Sequence, residues 1–148
     1  MIRIRYLGLD LGTRTLGLSL SDTTGTIATA LKTIRFDEGD YDSLLPLLKT
    51  LVEEYEVQGI VLGLPKNMNN TLGPRACETM EFQKKLETYL NMKVELQDER
   101  LTTVEATNYL LTADVSRKKR KQKVDSLAAN IILQTYLDKM KGRKNYDE

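Results

Sequence analysis

Asp10 stands inside the apolar run "YLGLDLG". A carboxylate in such a place is costly to bury unless it is paired, hydrogen-bonded or bound to a cation. Acidic residues recur at two further boundaries: Asp98 and Glu99 end the run "KVELQDE", and Asp125 opens "VDSLAANIIL". On a helical wheel Asp125 shares its face with Ala129, Ile132 and Tyr136, an inward face. Singly, each has an ordinary explanation. Asp10 could bond the backbone of the turn after it. Asp98 and Glu99 could be a solvated strand end beside Arg100, and Asp125 a helix cap. Together they could converge at one edge of a sheet, where mutual repulsion raises carboxyl pKa values unless a cation neutralises them. With no histidine in the chain, an oxygen-only ligand set suits Mg²⁺ or Mn²⁺. Two such ions about 3.5–4 Å apart are the usual apparatus for hydrolysing phosphodiesters.

The absence of histidine also excludes a Ser-His-Asp triad, a Cys-His pair and a His-based zinc site. The single cysteine, Cys77, excludes an internal disulfide and reads as a small buried residue rather than a nucleophile. The 148 residues suggest one domain, and 41% hydrophobic with 29% charged residues is a soluble globular composition. No apolar run approaches the roughly 20 residues of a membrane span, and the first residues lack the features of a signal peptide. The expectation is a cytoplasmic protein with no membrane partner.

Several elements must position those carboxylates. Residues 2–11 read as a central strand, with Ile2, Ile4, Tyr6 and Asp10 on one face and Leu7, Leu9 and Leu11 on the other. Residues 15–21 and 26–36 complete an antiparallel meander. The period then becomes helical over 42–57, through Leu44, Leu48, Leu51, Val52 and Tyr55. A short strand at 59–65 follows, then a helix over 74–90 opened by Pro74. Residues 93–100 form a strand, "TTVE" at 102–105 has the spacing of a capping box, and 124–140 is a long amphipathic helix. The order β-β-β-α-β-α-β-α-α gives an α/β fold, a mixed five-stranded sheet with helices on its faces. The chain is expected to be a single domain over 1–140 with a flexible tail at 141–148.

Net charge is only +1, yet basic residues cluster at Arg117, Lys118, Lys119, Arg120, Lys121 and Lys123. They fall in 113–123, expected as a polar loop. Their place just before Asp125 favours phosphate binding over a merely solvated loop. Arg14, Lys66 and Arg100 each follow a motif and could contact phosphates near the cleavage site. Tyrosine and phenylalanine form no stacking array, so base-specific reading is not supported.

Four segments in order, "LGLDLGTRTLGLSLSD", "IVLGLP", "DERLTTVEA" and "KVDSLAANIIL", resemble the YqgF/RuvX family, described as Holliday-junction-resolvase-like and as pre-16S rRNA nucleases. The resemblance spans about residues 4–140. It implies a ribonuclease H-like fold and a metal site built from Asp10, the Asp98-Glu99 pair and Asp125. Strand parity in the sequence does not choose between Asp98 and Glu99; Glu99 is favoured and both are kept as candidates. The implied function is maturation of the 5′ end of pre-16S rRNA by a monomer or weak homodimer. Two alternatives are junction resolution on DNA and a non-catalytic RNA-binding or ribosome-associated protein. "LDLGT" also resembles the first phosphate loop of actin-like ATPases, but the chain is short for that architecture and has no second loop.

Overall fold

The computed structural model describes residues 4–65, 73–98 and 117–146. Alternation along the first strand organises it. In β1 (Tyr6–Leu11), Leu7, Leu9 and Leu11 are buried on one side of the sheet, while Tyr6, Gly8 and Asp10 take the other. β2 (Thr15–Ser21) and β3 (Ala28–Arg35) follow as antiparallel neighbours. β4 (Gly59–Leu64) and β5 (Val94–Asp98) add in parallel on the other flank, giving one sheet of order β3-β2-β1-β4-β5. The mixed five-stranded sheet expected from the sequence is present, with β1 at its centre.

Helices cover both faces. A 3₁₀ turn (Tyr41–Ser43) leads into α1 (Leu44–Glu54), and α2 is Pro74–Leu90. Leu44, Leu48, Leu51, Phe82 and Leu86 from these helices enclose Leu7, Leu9, Leu16, Leu18, Ile60 and Leu62 in the larger core. α3 (Arg117–Tyr146) covers the opposite face, where Ile132, Leu133 and Leu137 meet Val61 and Ala28. Among the described residues no helix is long and apolar enough to cross a membrane.

α3 differs from expectation at its start. The basic residues 117–123, expected in a loop, are helical. Lysine and arginine lose little rotamer freedom in a helix, and no glycine or proline interrupts the run. Strong polarity was the only loop signal, and polarity is compatible with either state. The helix also continues past 140 to Tyr146. Cys77 is a second correction: it is exposed, and its neighbour Ala76 takes the buried position with Thr79 and Phe82. The helix expected from 102 lies outside the described residues.

α3 is seated by unusually close contacts. Gly8 has no side chain because α3 occupies that space. A Cβ there would collide with Ser19 Oγ, and would lie 2.7 Å from Leu133 Cβ and 3.2 Å from the Ala129 carbonyl. Ser19, fully buried, donates its hydroxyl to that same carbonyl at 2.9 Å. Gln134 joins the sheet edge with both ends of its amide. It accepts from Ala28 N at 2.9 Å and donates to Thr26 O at 3.0 Å. Tyr136 meets Tyr6 edge-on, with ring centroids 5.6 Å apart.

Gly8→Ala should therefore destabilise the fold by about 1–3 kcal/mol, the usual cost of overpacking. Chemical denaturation measures it. An unchanged midpoint would mean that α3 does not press on β1.

Candidate active site at the carboxyl edge of the sheet

Asp10 is half-buried one residue before the end of β1, on the α3 face. Its partner on β2 is Gly17. On the other side Leu9 pairs with Leu62, so the next residue of β4 beside Asp10 is Gly63. A residue without a side chain on each flank keeps the sheet surface around this carboxylate low.

α3 runs antiparallel to β1. Tyr136 lies against Tyr6, and Leu133 with Ala129 against Gly8. Two residues of strand advance about 6.6 Å, and four residues of helix about 6 Å. Stepping from Gly8 to Asp10 thus corresponds to stepping from Ala129 to residue 125. The helix backbone at Asp125 comes level with Asp10. Arg117 to Lys123 occupy the two turns before it.

The strand register separates the acidic pair. β5 partners β4 with Glu95 opposite Val61, Gln97 opposite Gly63 and Asp98 opposite Leu64. Val61 belongs to the α3 face, so Glu95 and Gln97 do too. The raised pKa of the Tyr6 hydroxyl agrees: burial is its main cause, and the Glu95 carboxylate adds to it. Val94 and Leu96 pack on the opposite face with the larger core, and Asp98 shares their parity. Asp98 is therefore not on the face of the sheet that Asp10 occupies. Glu99, Arg100 and Lys66 lie outside the described residues. Among the described residues no three carboxylates or thiols gather as a metal site.

Arg14 is exposed at the β1–β2 turn and pairs with Glu38 at 3.2 Å. Both side chains are mostly solvent-accessible, at 72% and 64%. Such a pair adds little stability and gives up its arginine to a phosphate at low cost.

One neighbour of this edge has no signal in the sequence. Arg75, in the first turn of α2, donates from Nη2 to the carbonyl of Leu11 at 2.7 Å. Leu11 is the residue after Asp10. A lone arginine after a helix-opening proline has nothing in its local pattern to mark it; only the fold brings it to β1.

The RuvX family, described as Holliday junction resolvase, matches residues 4–139. A relative from Geobacillus sp. (strain WCH70) is 53% identical over 135 residues, covering 91% of this chain and 98% of its own. One from Bacillus subtilis (strain 168) is 51% identical over 137 residues, covering 93% and 99%. Both carry the name "Putative pre-16S rRNA nuclease". Among solved structures, Thermus thermophilus RuvC in complex with a Holliday junction substrate superposes with a TM-score of 0.59 at 12% identity, covering 94% of this chain and 96% of that one. The fowlpox virus Holliday junction resolvase gives 0.55 at 14% identity, covering 92% and 99%. These two likenesses establish the ribonuclease H-like fold. With the match running from residue 4 to residue 139 and relatives about half identical along nearly their whole length, the chain belongs to the RuvX family.

Proposed function

We propose that this chain is a metal-dependent nuclease of the cytoplasm that matures the 5′ end of pre-16S rRNA. The observation that carries the reading is Asp10, a half-buried carboxylate on the central strand, level with residue 125 of α3. A rigid strand is where a ligand of fixed geometry belongs. The names of the close relatives favour a ribosomal RNA precursor as substrate.

The donors suit a hard divalent cation. Aspartate and glutamate oxygens are ligands for Mg²⁺ or Mn²⁺. Asp10, Glu99 and Asp125 would hold it. Glu99 is preferred to Asp98 because Asp98 shares the parity of Leu96 and Val94. A bound divalent ion supplies charge neutralisation at the scissile phosphate and lowers the pKa of an attacking water. The chain's own part is to fix the carboxylates and to hold the substrate. Arg117, Lys118, Lys119, Arg120, Lys121 and Lys123 precede Asp125 on α3 and would track the phosphate backbone. Arg14, Lys66 and Arg100 would bind phosphates closer to the cut.

Junction resolution is a second reading, favoured by the description of the family. It requires two sites related by a two-fold axis, and hence a dimer, because two symmetric strands must be cut.

Purified protein with Mg²⁺ or Mn²⁺ should cleave end-labelled RNA carrying a 16S precursor 5′ end. Asp10→Asn should lower the rate more than about 100-fold, beyond the 10–100-fold usual for groups that only support a ligand. RNA affinity should fall linearly with salt on a log-log plot. Symmetric cutting of a four-way junction alone would favour the resolvase. Full activity in Asp10→Asn would contradict the site.

Thermal stability gives an independent test. Mg²⁺ at ten times its dissociation constant should stabilise the fold by about 1.4 kcal/mol. Asp98→Asn should keep that rise in melting temperature, and Asp10→Asn and Asp125→Asn should lose it. Loss in Asp98→Asn alone would move the ligand to Asp98.

A further inference from the structure

We propose that Arg75 is a positioning residue that fixes the carboxyl end of β1 and, through it, the orientation of Asp10. The inference rests on the reading of Asp10 as a metal ligand, and begins from the hydrogen-bond ladder. Gly12 N donates to Thr15 O at 2.7 Å across the β1–β2 turn. The pairing is regular, Asp10 with Gly17 and Gly8 with Ser19. In an antiparallel pair the bonds alternate, so the even-numbered residues of β1 turn their amides and carbonyls toward β2. The odd-numbered ones turn theirs toward β4.

In the parallel ladder with β4, Leu9 is opposite Leu62. Its carbonyl then faces the amide of residue 63. The same register carries the Leu11 carbonyl to the amide of residue 65. That residue is Pro65, which has no N–H to give. The strand end carrying Asp10 would lose its last bond to β4, at a residue whose side chain is buried. A carbonyl left unpaired is costly where it is shielded from water, and this one is partly buried. Arg75 Nη2 fills the vacant donor position at 2.7 Å.

The guanidinium is itself held in place. Glu78 lies 3.4 Å from Arg75 Nη1 and accepts the Tyr41 hydroxyl at 3.2 Å. Tyr41 packs against Phe36 and Phe82, with ring centroids 5.6 and 6.1 Å away. Nearby anion and burial push the Tyr41 pKa up, burial first. A cation in the first turn of a helix also opposes the helix dipole, so helix stability alone does not account for an arginine here. The chain of contacts runs from the aromatic core through Tyr41, Glu78 and Arg75 to the backbone beside Asp10.

The test compares Arg75→Met, Arg75→Lys and Asp10→Asn with the parent chain. Three quantities are read: the Mg²⁺ concentration that gives half the maximal thermal shift, amide exchange over residues 10–12 without metal, and kcat with KM on the RNA substrate. Arg75→Met should raise the half-saturating Mg²⁺ about tenfold, the low end for groups that orient metal ligands. It should speed exchange and lower kcat while KM stays within about twofold, the pattern of a lost positioning interaction. Arg75→Lys retains a donor for the Leu11 carbonyl and should recover part of each loss. If Arg75→Met does not fold, Arg75→Gln replaces it, and the same shift in Mg²⁺ requirement is expected. Parent-like Mg²⁺ requirement and exchange in Arg75→Met would overturn the proposal, as would a rise in KM alone, which marks a substrate contact. Asp10→Asn separates the two readings. If it keeps the Mg²⁺ shift, the site itself is wrong. If it loses the shift while Arg75→Met matches the parent chain, only the role of Arg75 falls.

Discussion

The contact between α3 and the β1–β2 ribbon at Gly8 sets the geometry of everything near the carboxyl edge. It is a close backbone approach secured by one buried hydrogen bond, from Ser19 Oγ to the Ala129 carbonyl. A helix laid on a sheet through leucine and isoleucine alone could slide by a turn at modest cost, because apolar contact is non-directional. A slide would take the buried Ser19 hydroxyl off the Ala129 carbonyl, and a buried hydroxyl left without its partner is costly. Gln134, bonded to Ala28 and Thr26, fixes the same register two strands away. The position of Asp125 relative to Asp10 is inherited from these contacts, four residues further along.

This arrangement resolves the tension of a carboxylate in an apolar strand. β1 is central, flanked by β2 and β4, with Leu7, Leu9 and Leu11 anchored in the larger core. Its other face is thinned by glycine: Gly8 admits the helix, and Gly17 flanks Asp10 directly. Rigidity comes from one face and access from the other. The same alternation that buries the leucines presents the aspartate.

Much of this was legible in the sequence because strand parity and helix period are local properties. The opposition of Leu7, Leu9 and Leu11 to Tyr6 and Asp10 needs only an alternation of two. The helix at 74–90 announces itself through Pro74. The start of α3 was not legible, because a run of lysine and arginine signals solvent exposure without choosing between helix and loop. The exposure of Cys77 was not legible, since Ala76 and Cys77 are both small and the periodic pattern of α2 is weak. The face that Asp98 takes needed the ladder: only the pairing of Glu95 with Val61 says which face of β5 belongs with Asp10. Arg75 was invisible for a different reason. Its partner is a backbone carbonyl 64 positions away, and no side-chain pattern encodes that.

On the proposed reading, Asp10 and Asp125 hold one divalent cation at the carboxyl edge of β1. The most direct measurement is the anomalous scattering of crystals grown with Mn²⁺. A Mn²⁺ peak is expected within coordination distance of an Asp10 carboxylate oxygen and an Asp125 carboxylate oxygen. A structure with Mn²⁺ bound elsewhere on the chain, and none at Asp10, would contradict it.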